Sequence, residues 1–159
     1  MVDVPPIRLA GCADAAEIAA MSRDLIEAGL GWRWTAPRVA RAIAAADNNG
    51  VVANHGTRIG GFGIMTYGVD DAHLLLLAVR PACARRGIGG ALVGWLEASA
   101  RVAGIGRVKV EARLGNHAAR AFYARLGYRE IERVPGYYSG RETSVRLAKD
   151  LRLPRSTRA

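Results

Sequence analysis

Four groups of residues in this chain have types and spacings that could do chemistry. The first is Arg85-Arg86-Gly87-Ile88-Gly89-Gly90, which follows an apolar run and Pro81 and leads into an amphipathic stretch. That order leaves bare backbone N–H groups at the start of a helix, where the amides and the helix dipole both favour an anion. Glycine lets the backbone approach a ligand closely, and Arg85 and Arg86 add full positive charges. The expected ligand is a phosphate, although the same residues also fit a plain strand–turn–helix with a glycine-rich loop. Asn116 and Tyr123 form the second group: an amide that both donates and accepts, and a phenol that keeps its proton at neutral pH. Glu111 and His73 form the third, two groups able to take a proton near neutrality. The last is Gly29-Leu30-Gly31-Trp32-Arg33-Trp34, with two tryptophans in a glycine-rich loop. Cys12 and Cys83 have neither a metal-ligand nor a disulfide-framework spacing.

The spacing around the glycines excludes two common phosphate binders. No Gly-Lys-Ser/Thr follows, as a Walker loop needs, and Leu92 stands where the third glycine of a dinucleotide fingerprint belongs. The run instead resembles the pyrophosphate loop of the GNAT superfamily of acyl-CoA-dependent N-acyltransferases, Gln/Arg-x-x-Gly-x-Gly/Ala after a strand ending in Val-x-Pro. Gly87 and Gly89 match it, while Ala84 occupies the Gln/Arg position. Further on, Asn116-His117-Ala118-Ala119-Arg120-Ala121-Phe122-Tyr123-Ala124-Arg125-Leu126-Gly127-Tyr128 resembles the family pattern Asn-x-x-Ala-x-x-Phe/Leu-Tyr-x-x-x-Gly-Phe/Tyr at every specified position.

The resemblance implies acetyl-CoA as co-substrate and no metal. It implies that the backbone of Leu77, Ala78 and Val79 pairs with the cofactor arm, and that Arg85, Arg86, Gly87, Ile88, Gly89 and Gly90 hold the diphosphate. Asn116 would bind the pantetheine arm, and Tyr123 would act as general acid on the thiolate. Glu111, twelve residues before Tyr123, is the expected base and His73 its rival. Glu111 equally fits a strand glutamate paired with Arg113 or Arg107. The segment from Val110 to Glu142 is also similar to bacterial ribosomal-protein alanine N-acetyltransferases, with Tyr137-Tyr138 and then Gly140-Arg141-Glu142 between the last strands. That likeness implies a protein N-terminus as acceptor, with Tyr137 or Tyr138 lining its groove. The tyrosines also fit a brace on a hairpin turning at Pro135-Gly136. The Trp32 and Trp34 loop departs from that subfamily and reads as an apolar lid over an acceptor or as a cap on the core.

The elements that must position these groups follow from punctuation and periodicity. Strands are expected at 6–9, 51–53, 59–67, 72–80, 108–113, 128–134 and 143–148. Helices are expected at 13–28, 37–46, 87–103 and from Asn116 to Gly127, with Ala118, Phe122 and Leu126 facing the core and Tyr123 beside that stripe. Asp47-Asn48-Asn49-Gly50 and Asp70-Asp71 read as turns. The fold class is α/β (α+β): a GNAT fold with a mixed central sheet of about six to seven strands flanked by about four helices.

The chain has 159 residues, 50% of them apolar, and a mean hydropathy of +0.05, which suits one packed domain and argues against disorder. A single domain is expected over 1–151, with a basic tail over 152–159. The net charge of +9 suits a phosphorylated ligand. No basic helix with interleaved aromatics supports specific nucleic-acid binding. The apolar runs are too short for a bilayer, and Met1 to Pro6 does not read as a signal segment, so the cytoplasm is the expected location. The expected partners are acetyl-CoA and an amine acceptor, either a peptide N-terminus or a small amine, with a homodimer left open. The alternative from another class is a non-catalytic CoA-binding sensor or interaction module.

Overall fold

The computed structural model describes residues 3–138 and 142–152, without the side chain of Tyr138. Gly140, Arg141 and positions 153–159 of the expected tail lie outside the described residues. Among the described residues, seven strands and four α-helices follow in the order β1 (Ile7–Leu9), α1 (Ala15–Met21), α2 (Ala36–Ala44), β2 (Asn48–His55), β3 (Arg58–Tyr67), β4 (Asp71–Val79), α3 (Ile88–Val102), β5 (Arg107–Arg113), α4 (His117–Arg125), β6 (Arg129–Tyr138) and β7 (Glu142–Asp150). The strands form one mixed sheet in the order β1-β2-β3-β4-β5-β7-β6. The fold class is the expected one. Among the described residues no helix is long and apolar enough to cross a membrane.

Several boundaries differ from expectation. The first helix is not continuous over 13–28. A 3₁₀ turn (Cys12–Asp14) leads into α1, and a π-helical turn (Ser22–Ile26) follows it. Asn48, Asn49 and Gly50 are not a turn. They open β2 opposite Thr66, Met65 and Ile64, and the Asn48 amide donates to the Ala42 carbonyl at 2.9 Å, so cross-strand pairing overrides turn propensity. Asp71 likewise opens β4. Pro135-Gly136 is not the hairpin turn but lies within β6, where Gly136 has φ +66° and the ladder with β7 is irregular between Val134 and Tyr138. A proline donates nothing to a ladder and a left-handed glycine bends the strand, which together fit a bulge.

The chain divides into two compact units, one running to Thr66 and resuming over Leu74–Leu96, the other comprising Tyr67–His73 and the chain from Glu97 onward. In the first, Ile18 and Met21 of α1, Val39 of α2, and Val52, Phe62, Ile64 and Leu76 of the strands form the core. Each such side chain contributes about 1.5–3 kcal/mol on burial. The apolar run before Pro81 is not buried throughout: Leu74, Leu76 and Ala78 are buried, while His73, Leu75, Leu77 and Val79 on the opposite face are half-buried. Strand β3 presents Gly60, Gly61 and Gly63 to its neighbours. A methyl at Gly61 would stand 3.0 Å from Ile88 Cγ2, 3.1 Å from Leu92 Cδ1 and 3.2 Å from the Ala78 carbonyl oxygen. Glycine there lets α3 lie directly on the strand.

In the second unit Val108, Val110 and Ala112 of β5 and Val145 and Leu147 of β7 are buried. Helix α4 is rotated from the expected phase. Ala118 is exposed, Phe122 and Leu126 are half-buried, and Tyr123, at 6% exposure, is the buried residue of the helix. Nine residues of an Ala- and Arg-rich helix do not fix a phase by periodicity, and the large Tyr123 ring takes the inner position.

Candidate active site

Within the first unit, β4 ends at Val79 and the Arg80 N–H donates to the Gly60 carbonyl at 2.8 Å. A 3₁₀ turn at Pro81–Cys83 follows. Arg85 (φ +62°) and Gly87 (φ +81°) are both left-handed, and they reverse the chain into α3. The Ala91 N–H to Gly87 carbonyl bond, 3.0 Å, joins the loop to the helix. The amides of Ile88, Gly89 and Gly90 therefore belong to the first turn and have no intrahelical acceptor. Arg85 and Arg86 are exposed and form no ion pair among the described residues. A Cβ added at Gly90 would meet nothing within 4 Å. Open amides, a left-handed glycine and two uncommitted guanidinium groups fit a diphosphate. Leu77, Ala78 and Val79 lead into this loop on the same strand. Cys83, at the end of the 3₁₀ turn, is fully buried, its Sγ 3.3 Å from where a Cβ on Gly60 would stand.

Sequence reasoning missed the anchor at the root of this loop. Glu17 of α1 accepts from the Ile59 N–H with both carboxylate oxygens at 3.1 Å. Arg80 donates from Nε to the Ile59 carbonyl at 2.7 Å and lies 3.4 Å from Glu17. An arginine immediately after a strand, with a glutamate on the first helix, was the available signal.

In the second unit, the Asn116 side chain caps α4, accepting from the Ala119 N–H at 3.1 Å. The expected N-cap is therefore present, and it occupies the side-chain oxygen. Gly127 has φ +94° and closes the helix as expected. The Tyr123 ring contacts Phe122 and Tyr128 edge-on, with centroids at 5.1 and 5.5 Å.

Glu111 lies on the half-buried face of β5, opposite the core positions Val108, Val110 and Ala112. Its ion-pair partner is neither Arg113 nor Arg107. It is Arg146, its register partner on β7, with Nε 3.3 Å from Glu111 Oε1. Arg113 instead reaches Glu142 at 3.7 Å and Arg107 reaches Asp71 at 3.5 Å. Arg146 also holds Glu132 of β6 at 2.9 Å, so its charge is shared between two carboxylates. Tyr137, 45% exposed, is among the groups acting on Arg146. Arg146 thus bridges Glu111 and Glu132 across β5, β7 and β6. The pKa of His73 is pushed below its ordinary 6.5, chiefly by burial; Glu111 opposes the shift, and Lys109 and Arg146 add to it. His73 is accordingly neutral at pH 7. Tyr138 pairs with Glu142 in the ladder.

The tryptophan loop is fixed from below by buried Glu27. Its carboxylate accepts from the N–H groups of Arg33 (2.7 Å) and Trp34 (3.2 Å) and from the Ser22 hydroxyl (2.9 Å). The two tryptophans then part. Trp34 packs against the core under Arg38, whose guanidinium is 4.1 Å from the ring centroid, whereas Trp32 is 44% exposed with Arg23 at 5.4 Å. Glu27 and Ser22 were also missed, because a glutamate near a helix end reads as a surface residue.

The sequence pattern of the Acetyltransferase (GNAT) family matches residues 19–128, which include the loop, Asn116 and Tyr123. The chain belongs to the GNAT family. Among curated GNAT relatives, it is 36% identical over 99 residues to the uncharacterized N-acetyltransferase MJ1530 of Methanocaldococcus jannaschii, covering 62% of this chain and 64% of that protein. It is 33% identical over 94 residues to the [ribosomal protein bS18]-alanine N-acetyltransferase of Escherichia coli, covering 57% of this chain and 64% of that one. The matched region therefore spans less than two thirds of the length of these relatives. The crystal structure of the Escherichia coli ribosomal-protein-S18-alanine N-acetyltransferase superposes with a TM-score of 0.76 at 25% identity over 97% of this chain and 98% of that chain. An aminoglycoside 6'-N-acetyltransferase complexed with coenzyme A shares the fold, with a TM-score of 0.77 at 19% identity over 94% and 98% of the two chains. Tyr137 and Tyr138 fall outside the part matched by the GNAT pattern.

Proposed function

We propose that this GNAT chain transfers an acetyl group from acetyl-CoA to a primary amine, and that the amine is a protein N-terminus. The observation that carries the reading is the open N-terminal turn of α3, entered through left-handed Arg85 and Gly87 and flanked by uncommitted Arg86. The family pattern runs through residues of both compact units, which supports treating 1–151 as one functional domain. The terminal-amine acceptor rests on the ribosomal-protein alanine N-acetyltransferase likeness in sequence and in structure.

Acetyl-CoA would supply the activated acetyl thioester. The Ile88, Gly89 and Gly90 amides with Arg85 and Arg86 hold its diphosphate. The backbone of Leu77, Ala78 and Val79 pairs with its arm as an added strand, and an N–H there polarises the thioester oxygen. Asn116 binds the arm through the amide N–H donors that its cap leaves available. Glu111 takes the proton of the incoming ammonium, directly or through water, so that the neutral amine attacks the carbonyl carbon. As the C–N bond forms and the C–S bond breaks, Tyr123 gives its phenolic proton to the sulfur, and the second proton lost from the nitrogen as the amide forms returns to the phenolate through water. His73, neutral at pH 7, is the alternative base. The acceptor-binding rings of this reading are Trp32, exposed on a loop that Trp34 holds to the core, and Tyr137, exposed on β6 with Tyr138 next in sequence.

Thiol release from acetyl-CoA, measured against N-terminal peptides, free amino acids and small polyamines, tests this. Turnover that depends on a peptide amine supports the reading. Turnover only with small amines moves the acceptor to that class, and binding without turnover for any amine makes the chain a CoA-binding module.

A further inference from the structure

Glu97 is a carboxylate at 4% exposure in the second unit, and the mechanism above makes no use of it. It is fully committed. Tyr128 donates its hydroxyl to Oε2 at 2.8 Å, and Lys149 of β7 donates Nζ to Oε1 at 2.9 Å. The Lys149 ammonium also lies 5.8 Å from the centroid of the Tyr128 ring, and its Cε stands 3.5 Å from where a Cβ on Gly127 would be. The pKa of Tyr128 is pushed far up, first by burial and then by the Glu97 charge and hydrogen bond, so its phenol remains a donor. A buried ion pair is weak evidence for stability, because desolvation offsets the attraction. Its geometry suits a specifying role instead.

What this brace touches is Tyr123. The Tyr128 N–H donates to the Tyr123 carbonyl at 3.0 Å, and the Gly127 N–H donates to the Ala124 carbonyl at 3.1 Å. These two bonds, with Gly127 left-handed, make a Schellman closure that ties the backbone of Tyr128 to that of Tyr123. The two rings meet edge-on at 5.5 Å. We infer that Glu97, Tyr128 and Lys149 are positioning residues that fix the ring of Tyr123 through the end of α4. The inference rests on Tyr123 acting as the general acid. The hydroxyl of Tyr128 is the part of the device that a phenylalanine at this position would lack, and Phe would preserve the ring contact and the helix closure.

The test is a double-mutant cycle on the full chain, with steady-state turnover and the resonances of isotope-labelled tyrosine rings as separate readouts. Tyr128→Phe is expected to lower kcat about tenfold, within the up to 10²-fold that a misplacement of about 1 Å can cost. The KM for acetyl-CoA should change little. In the Tyr123→Phe background the same substitution should have no further effect on kcat. Lys149→Met, on a side chain 22% exposed, should repeat the pattern without altering either ring. In both variants the Tyr123 ring signal, assigned by its loss in Tyr123→Phe, should broaden. Equal losses of kcat with and without the Tyr123 hydroxyl, or an unchanged Tyr123 signal, would overturn the inference. A Tyr123→Phe enzyme with wild-type turnover would refute the acid assignment itself, and the ring signal would then still report whether the brace orders Tyr123.

Discussion

Replacing Gly61 by alanine tests whether the contact between β3 and α3 positions the phosphate loop. The added methyl would stand 3.0 Å from Ile88 Cγ2, 3.1 Å from Leu92 Cδ1 and 3.2 Å from the Ala78 carbonyl oxygen. Ordinary carbon contacts lie at about 3.5–4.0 Å, so α3 must retreat by roughly half an ångström or the strand must bend. Ala78 O is backbone, and Ile88 and Leu92 are both packed, at 2% and 0% exposure, so no flexible side-chain end can give way. Overpacking of this kind costs about 1–3 kcal/mol, which for a chain of this size lowers Tm by about 2–12 °C. Ile88 opens α3, so the same displacement moves the amides of Ile88, Gly89 and Gly90, and under the proposed function it should weaken acetyl-CoA binding. Gly94 is the internal control: a Cβ there meets nothing within 4 Å. Gly94→Ala, in mid-helix, should gain about 0.5–1 kcal/mol. Urea unfolding followed by tryptophan fluorescence, with acetyl-CoA titrations alongside, measures both. Wild-type stability and affinity in Gly61→Ala would refute the close-contact reasoning, as would a loss of stability in Gly94→Ala.

Glu111→Gln should lower turnover and alter the acidic limb of the pH–rate profile while His73→Gln leaves that limb intact; the reverse pattern assigns the base to His73. The folded-state pKa of His73 lies below 6.5, so its contribution to stability is complete above that pH and is lost as pH falls through the lowered value. Unfolding free energies measured from pH 7 downward should therefore fall less steeply in His73→Gln than in wild type, and parallel slopes would contradict the burial argument. Tyr128 is raised well above 10.0, so its contribution persists up to about pH 10 and is lost as the pH rises towards the folded value. Alkaline unfolding should flatten in Tyr128→Phe, and an unchanged alkaline slope would place the phenol in water.

The parts that sequence revealed are those governed by local punctuation. Asn116 and Gly127 bracket α4 because capping and a left-handed turn each need a particular residue type. The glycines after Pro81 mark the entry to α3 for the same reason. Asn48-Asn49-Gly50 and Pro135-Gly136 misled, since strand pairing with β3 and β7 overrides local turn preference. The phase of α4 was missed because Ala118, Ala119, Phe122 and Tyr123 offer two stripes, and only packing against Tyr128 chooses between them. The hidden layer of the site is made of charged residues that sequence assigns to the surface. Glu17, Glu27 and Glu97 each satisfy buried or partly buried donors far away in the chain or in a following loop. No periodicity announces such pairs. The glycines of β3 were passed over as well, although Gly60-Gly61-x-Gly63 inside a strand implies a close neighbour.

The most direct test of the account is calorimetric titration of acetyl-CoA into the wild-type chain and into Gly87→Asp. Gly87 is left-handed, and a Cβ there would stand 3.4 Å from Val4 Cγ2, an ordinary contact. Any side chain at this φ of +81° also strains the backbone, so Gly87→Ala is the control for strain, and the further loss in Gly87→Asp is that of the new carboxylate beside the proposed diphosphate site. At about 5 Å and an effective dielectric constant of about 20–80, each charge pair costs about 1–3 kcal/mol. The account predicts saturable binding to the wild type and affinity lower by about tenfold or more in a folded Gly87→Asp variant. Absence of binding to the wild type, or equal affinity in the two proteins, would contradict it.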